Sequence, residues 1–132
     1  MVLEYLHALF MVIGFSVMTA GFVSVRFFKR KSWWLKLHKN LGISSVFLLL
    51  TGLCFEIIHL SLIGAGHFNV LHARLGLIIV FLSLITLIMG LMQIKMHRTA
   101  KKIRPFHRWS GRVLIMLMFI NIISGLYTLG LF

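Results

Sequence analysis

The chain has 132 residues, of which 60% are hydrophobic and one is proline, with a mean hydropathy of +1.00. This composition is too apolar for a soluble domain of this size and indicates an integral membrane protein. Fourteen Lys and Arg against two acids give a formal charge of +12. The basic residues lie between long apolar runs, which argues against nucleic-acid binding and is typical of charges that orient a membrane protein.

Four apolar segments are long enough to cross a bilayer, whose core needs about 20 helical residues. The segments are continuous rather than alternating, which favours helices over barrel strands. The predicted spans are about 3–27, 34–63, 70–96 and 106–131, with Pro105 at the start of the last helix. Short connections make consecutive helices antiparallel. The sequence therefore predicts an all-α integral membrane protein, with residues 1–132 forming one up-down-up-down four-helix bundle.

The basic residues predict the orientation of this bundle. All of them except Arg74 fall in two connections, 26–39 and 95–112. Connections rich in Lys and Arg remain in the cytoplasm. We therefore expect both of these connections to be cytoplasmic, and both termini and the turn at 64–69 to lie on the outer face.

Four of the seven histidines open the four predicted helices, one on each: His7, His38, His72 and His107. In an up-down-up-down bundle the first and third helices start at one membrane face, and the second and fourth start at the other. His7 and His72 therefore share the outer face, and His38 and His107 share the inner face. Each pair comes from diagonally opposite helices and can clamp one metal-bearing disc.

Three of these histidines are followed by glycine at the fourth position, which lies on the same helix face. A glycine one turn deeper leaves room for a flat macrocycle. The single Cys54 supplies no thiolate cluster and no c-type haem motif, and two imidazoles per face suit axial ligation of haem iron. The sequence predicts two b-type haems with iron ligands His7, His72, His38 and His107, and with Gly42, Gly76 and Gly111 against the macrocycles.

Glu56 is the only acid in the middle of a predicted span, which makes it a functional candidate by default. It lies in the outer third of its helix, near His59 and within possible reach of Arg74. Two roles stay open, an ion pair with Arg74 and proton uptake during quinol oxidation. His59 also competes with His7 and His72 for the outer iron, but it does not extend the repeat of helix-opening histidines.

Several motifs resemble the cytochrome b561 family, whose four-helix core carries electrons across membranes through two haems. They cover nearly the whole chain and are 6–8 (LHA), 25–29 (VRFFK), 34–38 (WLKLH), 72–76 (HARLG) and 107–112 (HRWSGR). The family pairs its first core histidine with the third and its second with the fourth, which agrees with the pairing from topology. Most members have six helices, whereas this chain has the core alone.

The resemblance implies transmembrane electron transfer. We expect the electron to pass from a cytoplasmic or membrane donor, a quinol or small reductant, to an extracytoplasmic acceptor, and the reverse direction stays open. The protein would be a pure electron carrier or a transmembrane oxidoreductase of the ferric-reductase or quinol-oxidising type. Arg26, Lys39 and Arg108 are candidates for binding haem propionates or an anion at the inner face, with topology alone as the alternative.

Two rival functions remain open at the level of sequence. One is a membrane-anchor cytochrome b subunit of a larger quinol-linked or multihaem complex, with other redox subunits or a second copy as partners. The other, from a different class, is a haem-free membrane scaffold or small transporter whose histidines are interfacial. No nucleic-acid partner is expected for either.

Overall fold

The computed structural model describes residues 2–67 and 69–130, and of His97 the backbone only. This part of the chain is all helical, without strands, and consists of α1 (Val2–Phe27), α2 (Trp34–Leu62), α3 (Leu71–Lys95) and α4 (His97–Thr128). Each helix is long and apolar enough to cross a membrane. The predicted fold class is confirmed, and the protein is a multi-pass integral membrane protein. Residue 131 of the predicted fourth span lies outside the described residues.

The four helices form two antiparallel hairpins that pack side by side. Within each hairpin, α1 packs closely on α2, and α3 on α4. The hairpins meet more sparsely, through α1 with α4 and α2 with α3, so that α1 and α3 are diagonal partners, as are α2 and α4. The seam between the hairpins is therefore the part of the bundle with room for a large group.

A small apolar cluster fills the middle of the bundle. Leu49, Ile79, Leu114 and Met118 are almost fully buried and contact one another across the hairpins. Many large apolar side chains point outwards instead; Phe47, for example, is 68% exposed. In a membrane such side chains contact lipid rather than water, so the outer surface needs no further protein cover.

The start of the fourth helix differs from the prediction. Pro105 was expected to begin this helix, but α4 begins at His97, Pro105 lies inside it, and Met96 alone separates α3 from α4. Proline leaves the carbonyl four residues earlier, that of Lys101, without an amide donor. Lys101 and Lys102 are exposed, so water can bind this carbonyl and the helix continues through the proline.

Candidate haem sites

The structure brings the four helix-opening histidines together as two pairs. The imidazole centroids of His7 on α1 and His72 on α3 are 6.2 Å apart, with an interplanar angle of 88°. Those of His38 on α2 and His107 on α4 are 6.0 Å apart, with an angle of 84°. Each pair thus joins diagonally opposite helices across the seam between the hairpins.

In the first hairpin, each histidine is held by a backbone carbonyl of the neighbouring helix. Nδ1 of His7 donates to the carbonyl oxygen of Gly52 at 2.9 Å, and Nδ1 of His38 donates to that of Gly21 at 2.9 Å. A carbonyl oxygen can only accept, so Nδ1 carries the proton. Nε2 of each ring is then the nitrogen with a free lone pair, the form in which imidazole binds a metal.

The second hairpin repeats this arrangement. Nδ1 of His72 donates to the carbonyl of Asn121 at 3.0 Å, and Nδ1 of His107 donates to that of Thr86 at 2.9 Å. In all four helices, the acceptor residue lies 14 positions after the histidine that opens the same helix. The pairs are His7 and Gly21, His38 and Gly52, His72 and Thr86, and His107 and Asn121. At about 1.5 Å per residue, the two histidine levels are about 21 Å apart.

Two further glycines let the imidazoles of the second hairpin lie against the adjacent helix. A Cβ on Gly125 would come within 2.6 Å of Cε1 of His72, and one on Gly90 within 3.0 Å of Cε1 of His107. Both distances are too short for ordinary carbon contacts. A side chain at either position would push the imidazole from its place, so these glycines are part of the two sites.

The three glycines predicted from the sequence border open space. A Cβ on Gly42 or Gly111 would meet nothing within 4 Å, and one on Gly76 would meet only Nδ2 of Asn121, at 3.4 Å. Gly42 and Gly111 lie one turn from His38 and His107. This open space beside a histidine pair is suited to a flat macrocycle.

A cavity of about 440 Å³ opens at the His7/His72 pair. His7, His72 and Gly76 line it, within the volume range of small-molecule and cofactor sites. Asn121 lines it as well, is only 8% exposed, and has a buried Oδ1 without a hydrogen-bond partner. A buried polar atom of this kind needs an explanation, and a group bound in the cavity provides one.

The ligand set favours haem over a bare metal ion. Among the described residues, no group of three or more His, Cys, Asp or Glu is arranged to hold a metal. A porphyrin supplies four nitrogens of its own and asks the protein only for two axial ligands. With ring centroids 6.2 and 6.0 Å apart, the two imidazoles of each pair are close enough that they would hold one iron between them.

Comparison with known proteins decides the family. The family model described as eukaryotic cytochrome b561 matches residues 6–132. The chain belongs to the cytochrome b561 family. Comparison with curated proteins gives no match, and comparison with solved structures gives none. Family membership identifies the protein as a haem b-binding cytochrome of transmembrane electron transfer.

The three basic residues predicted near the His38/His107 pair, Arg26, Lys39 and Arg108, are exposed at the surface. Lys39 lines a smaller cavity of about 300 Å³ with Lys36 and residues of α2 and α3. A role for these three side chains in binding haem propionates or another anion stays a prediction.

His59, the competing outer ligand, has a different partner in the structure. Its Nε2 lies 3.4 Å from Oε2 of Glu4, which joins the start of α1 to the end of α2. Glu56 lines the cavity of His7 and His72, and its ion pair with Arg74 stays a prediction. The geometry therefore favours His7 and His72 as the outer pair.

Proposed function

We propose that this cytochrome carries electrons across the membrane through two b-type haems, one held by His7 and His72 and the other by His38 and His107. The observation that carries the proposal is the set of four reciprocal hydrogen bonds from histidine Nδ1 to backbone carbonyls. They leave two pairs of Nε2 atoms available for iron. When bound, each haem supplies an iron that changes its charge by one electron.

The carbonyl acceptors fix the chemistry of the ligands. Because Gly21, Gly52, Thr86 and Asn121 accept from Nδ1 through their backbones, each imidazole has one tautomer and one ring orientation. Hydrogen bonding at Nδ1 also makes Nε2 more basic and a better ligand. The hairpins thereby preorganise both sites before a cofactor enters.

The rest of the bundle separates and shields the two sites. The cluster around Leu49, Ile79 and Leu114 excludes water from the region between the two histidine levels. Gly42, Gly76 and Gly111 keep side chains out of the spaces beside the ligands. These residues support two distinct cofactor positions near opposite membrane faces instead of one central site.

We infer the orientation from the distribution of basic residues. The His38/His107 site then faces the cytoplasm, and the His7/His72 site faces the outside. Arg26, Lys39 and Arg108, exposed at the cytoplasmic end, are suited to hold haem propionates there through charge-assisted hydrogen bonds. The donor acts on the cytoplasmic side or within the membrane, and the acceptor acts outside.

Single-site variants test the proposal. We expect His72→Ala to lose the outer haem and His107→Ala the inner one, so that each retains one of two haems with low-spin spectra. In vesicles with a reductant on one side and ferricyanide trapped on the other, the wild-type protein should reduce the ferricyanide, and both variants should lose this activity. A variant with both haems and normal transmembrane reduction would show that its histidine is not a ligand.

A further inference from the structure

The two acidic residues of the chain lie at the same end of the bundle. Glu4 and Glu56 are the only acids in the sequence, and both line the cavity of His7 and His72. All Lys and Arg residues except Arg74 lie in the segments 26–39 and 95–112, near the other histidine pair. The two sites have nearly equivalent ligand geometry but opposite electrostatic surroundings.

Glu56 is placed to act on the outer site directly. It lies one turn, or about 6 Å along α2, beyond Gly52, whose carbonyl accepts the hydrogen bond from His7. Its side chain is half-buried in a cavity whose wall is mostly apolar, as at Leu53 and Leu60. In such surroundings a charge interacts more strongly than it does in water.

Glu4 differs from Glu56 in its partner. Its carboxylate lies 3.4 Å from Nε2 of His59, and its side chain is 29% exposed, so solvent and His59 reduce its influence on the cavity. Two other groups face this end, Arg74 on α3 and His67 in the turn between α2 and α3, where Nε2 of His67 lies 3.1 Å from the hydroxyl oxygen of Ser61. A positive charge on Arg74 opposes that of Glu56, so the contribution of Glu56 is measured by changing Glu56 alone.

We propose that Glu56 is a tuning residue that lowers the reduction potential of the outer haem below that of the inner one. This inference rests on the proposed function. Ferric haem takes up one electron to become ferrous and loses one positive charge, so a nearby carboxylate favours the ferric state. At the inner site, the exposed cations Lys39 and Arg108 act in the opposite sense. A single electron shared between the two haems then resides mainly at the inner site.

The test is a mediated potentiometric titration of the purified holoprotein, followed by its optical spectrum. His72→Ala, with the inner haem alone, assigns the two potentials. Replacing Glu56 with the neutral isostere, Glu56→Gln, should raise the outer potential and shift its ferric–ferrous equilibrium about tenfold, or about 59 mV for one electron. The inner potential should not move, and Glu56→Asp should restore the outer potential.

Control variants separate charge from packing. Glu4→Gln should shift the outer potential less than Glu56→Gln does, and Lys101→Gln, in the first turns of α4, should leave it unchanged. Asn69→Asp adds a carboxylate to the same cavity at nearly constant size and should lower the outer potential, which keeps the test decisive if Glu56→Gln does not assemble. An unchanged outer potential in Glu56→Gln, an equal shift at both haems, or no lowering in Asn69→Asp would overturn the inference. In each case two bound haems would leave the proposed function standing, whereas a haem-free wild-type protein would overturn that function itself.

Discussion

The backbone carbonyl of Asn121, not its side chain, holds His72 in place. The hydrogen bond from Nδ1 of His72 is 3.0 Å long, while Oδ1 of Asn121 is buried without a partner. We therefore expect Asn121→Ala to keep the outer haem, because the acceptor carbonyl remains. Haem per chain and the low-spin spectrum should match those of the wild type, in contrast to His72→Ala. Loss of the outer haem in Asn121→Ala would show that the side chain itself is needed.

Gly90 and Gly125 offer a pair of site-selective variants. An alanine at Gly125 would place Cβ 2.6 Å from the ring of His72, and one at Gly90 would place it 3.0 Å from the ring of His107. We expect Gly125→Ala to weaken outer haem binding about 10- to 100-fold, the cost typical of disturbing the support of a metal ligand. Gly90→Ala should act in the same way on the inner haem, with a smaller effect. Haem titration of the apoprotein measures both, and each variant is the control for the other. Equal losses at both sites from either change would contradict the assignment.

Replacing Gly42 or Gly111 with alanine should weaken haem binding for a different reason. An added Cβ at either position meets no protein atom within 4 Å. Alanine favours a helix over glycine by roughly 1 kcal/mol in water, so Gly42→Ala should not destabilise the apoprotein. It should nevertheless bind the inner haem at least about tenfold more weakly, because the methyl group occupies space left for the macrocycle. Thermal unfolding of the apoprotein and haem titration give the two readouts. Unimpaired haem binding would show that this space is not used.

The contact between Glu4 and His59 should contribute little to the free energy of unfolding. Partly exposed ion pairs are worth about 0–1 kcal/mol. We expect His59→Ala to lower stability by no more than this amount and to keep both haems, since His7 and His72 supply the outer ligands. Denaturant unfolding and haem quantitation check the two parts. Loss of one haem in His59→Ala would make His59 an outer ligand.

The orientation can be tested with single cysteines in a variant that lacks Cys54. We expect Ala65→Cys, in the turn between α2 and α3, to react with a membrane-impermeant maleimide in intact cells. Arg30→Cys, between α1 and α2, should react only after the membrane is opened, because basic connections stay in the cytoplasm. The opposite labelling pattern would invert the proposed orientation and exchange the inner and outer sites.

Much of the fold could be predicted from the sequence, because uninterrupted apolar runs have few stable forms in a membrane. The first three predicted spans end within one or two residues of α1, α2 and α3. The fourth predicted span starts too late, because Pro105 does not open α4 but lies inside it. Proline often opens a helix, but it also fits within one where water can bind the carbonyl that it leaves free.

The histidine pairs could be predicted from topology, whereas their supports could not. A carbonyl oxygen is present at every residue, so nothing in the residue types of Thr86 or Asn121 marks them as acceptors. Each acceptor lies 14 residues after the histidine of its own helix, but this offset identifies the acceptors only once the pairing of the helices in hairpins is known. Gly90 and Gly125, four positions beyond these acceptors, are the clearest indication in the sequence of where the imidazoles contact the adjacent helix.

Haem quantitation measures whether the chain holds two haems. The measurement is a pyridine haemochrome assay of haem b per chain on protein purified from haem-supplied cells, with a reduced-minus-oxidised spectrum of the same sample. We expect about two haems b per chain, both low-spin with two imidazole ligands. One haem per chain would leave one histidine pair without its proposed role, and a haem-free protein would overturn the proposed electron transfer.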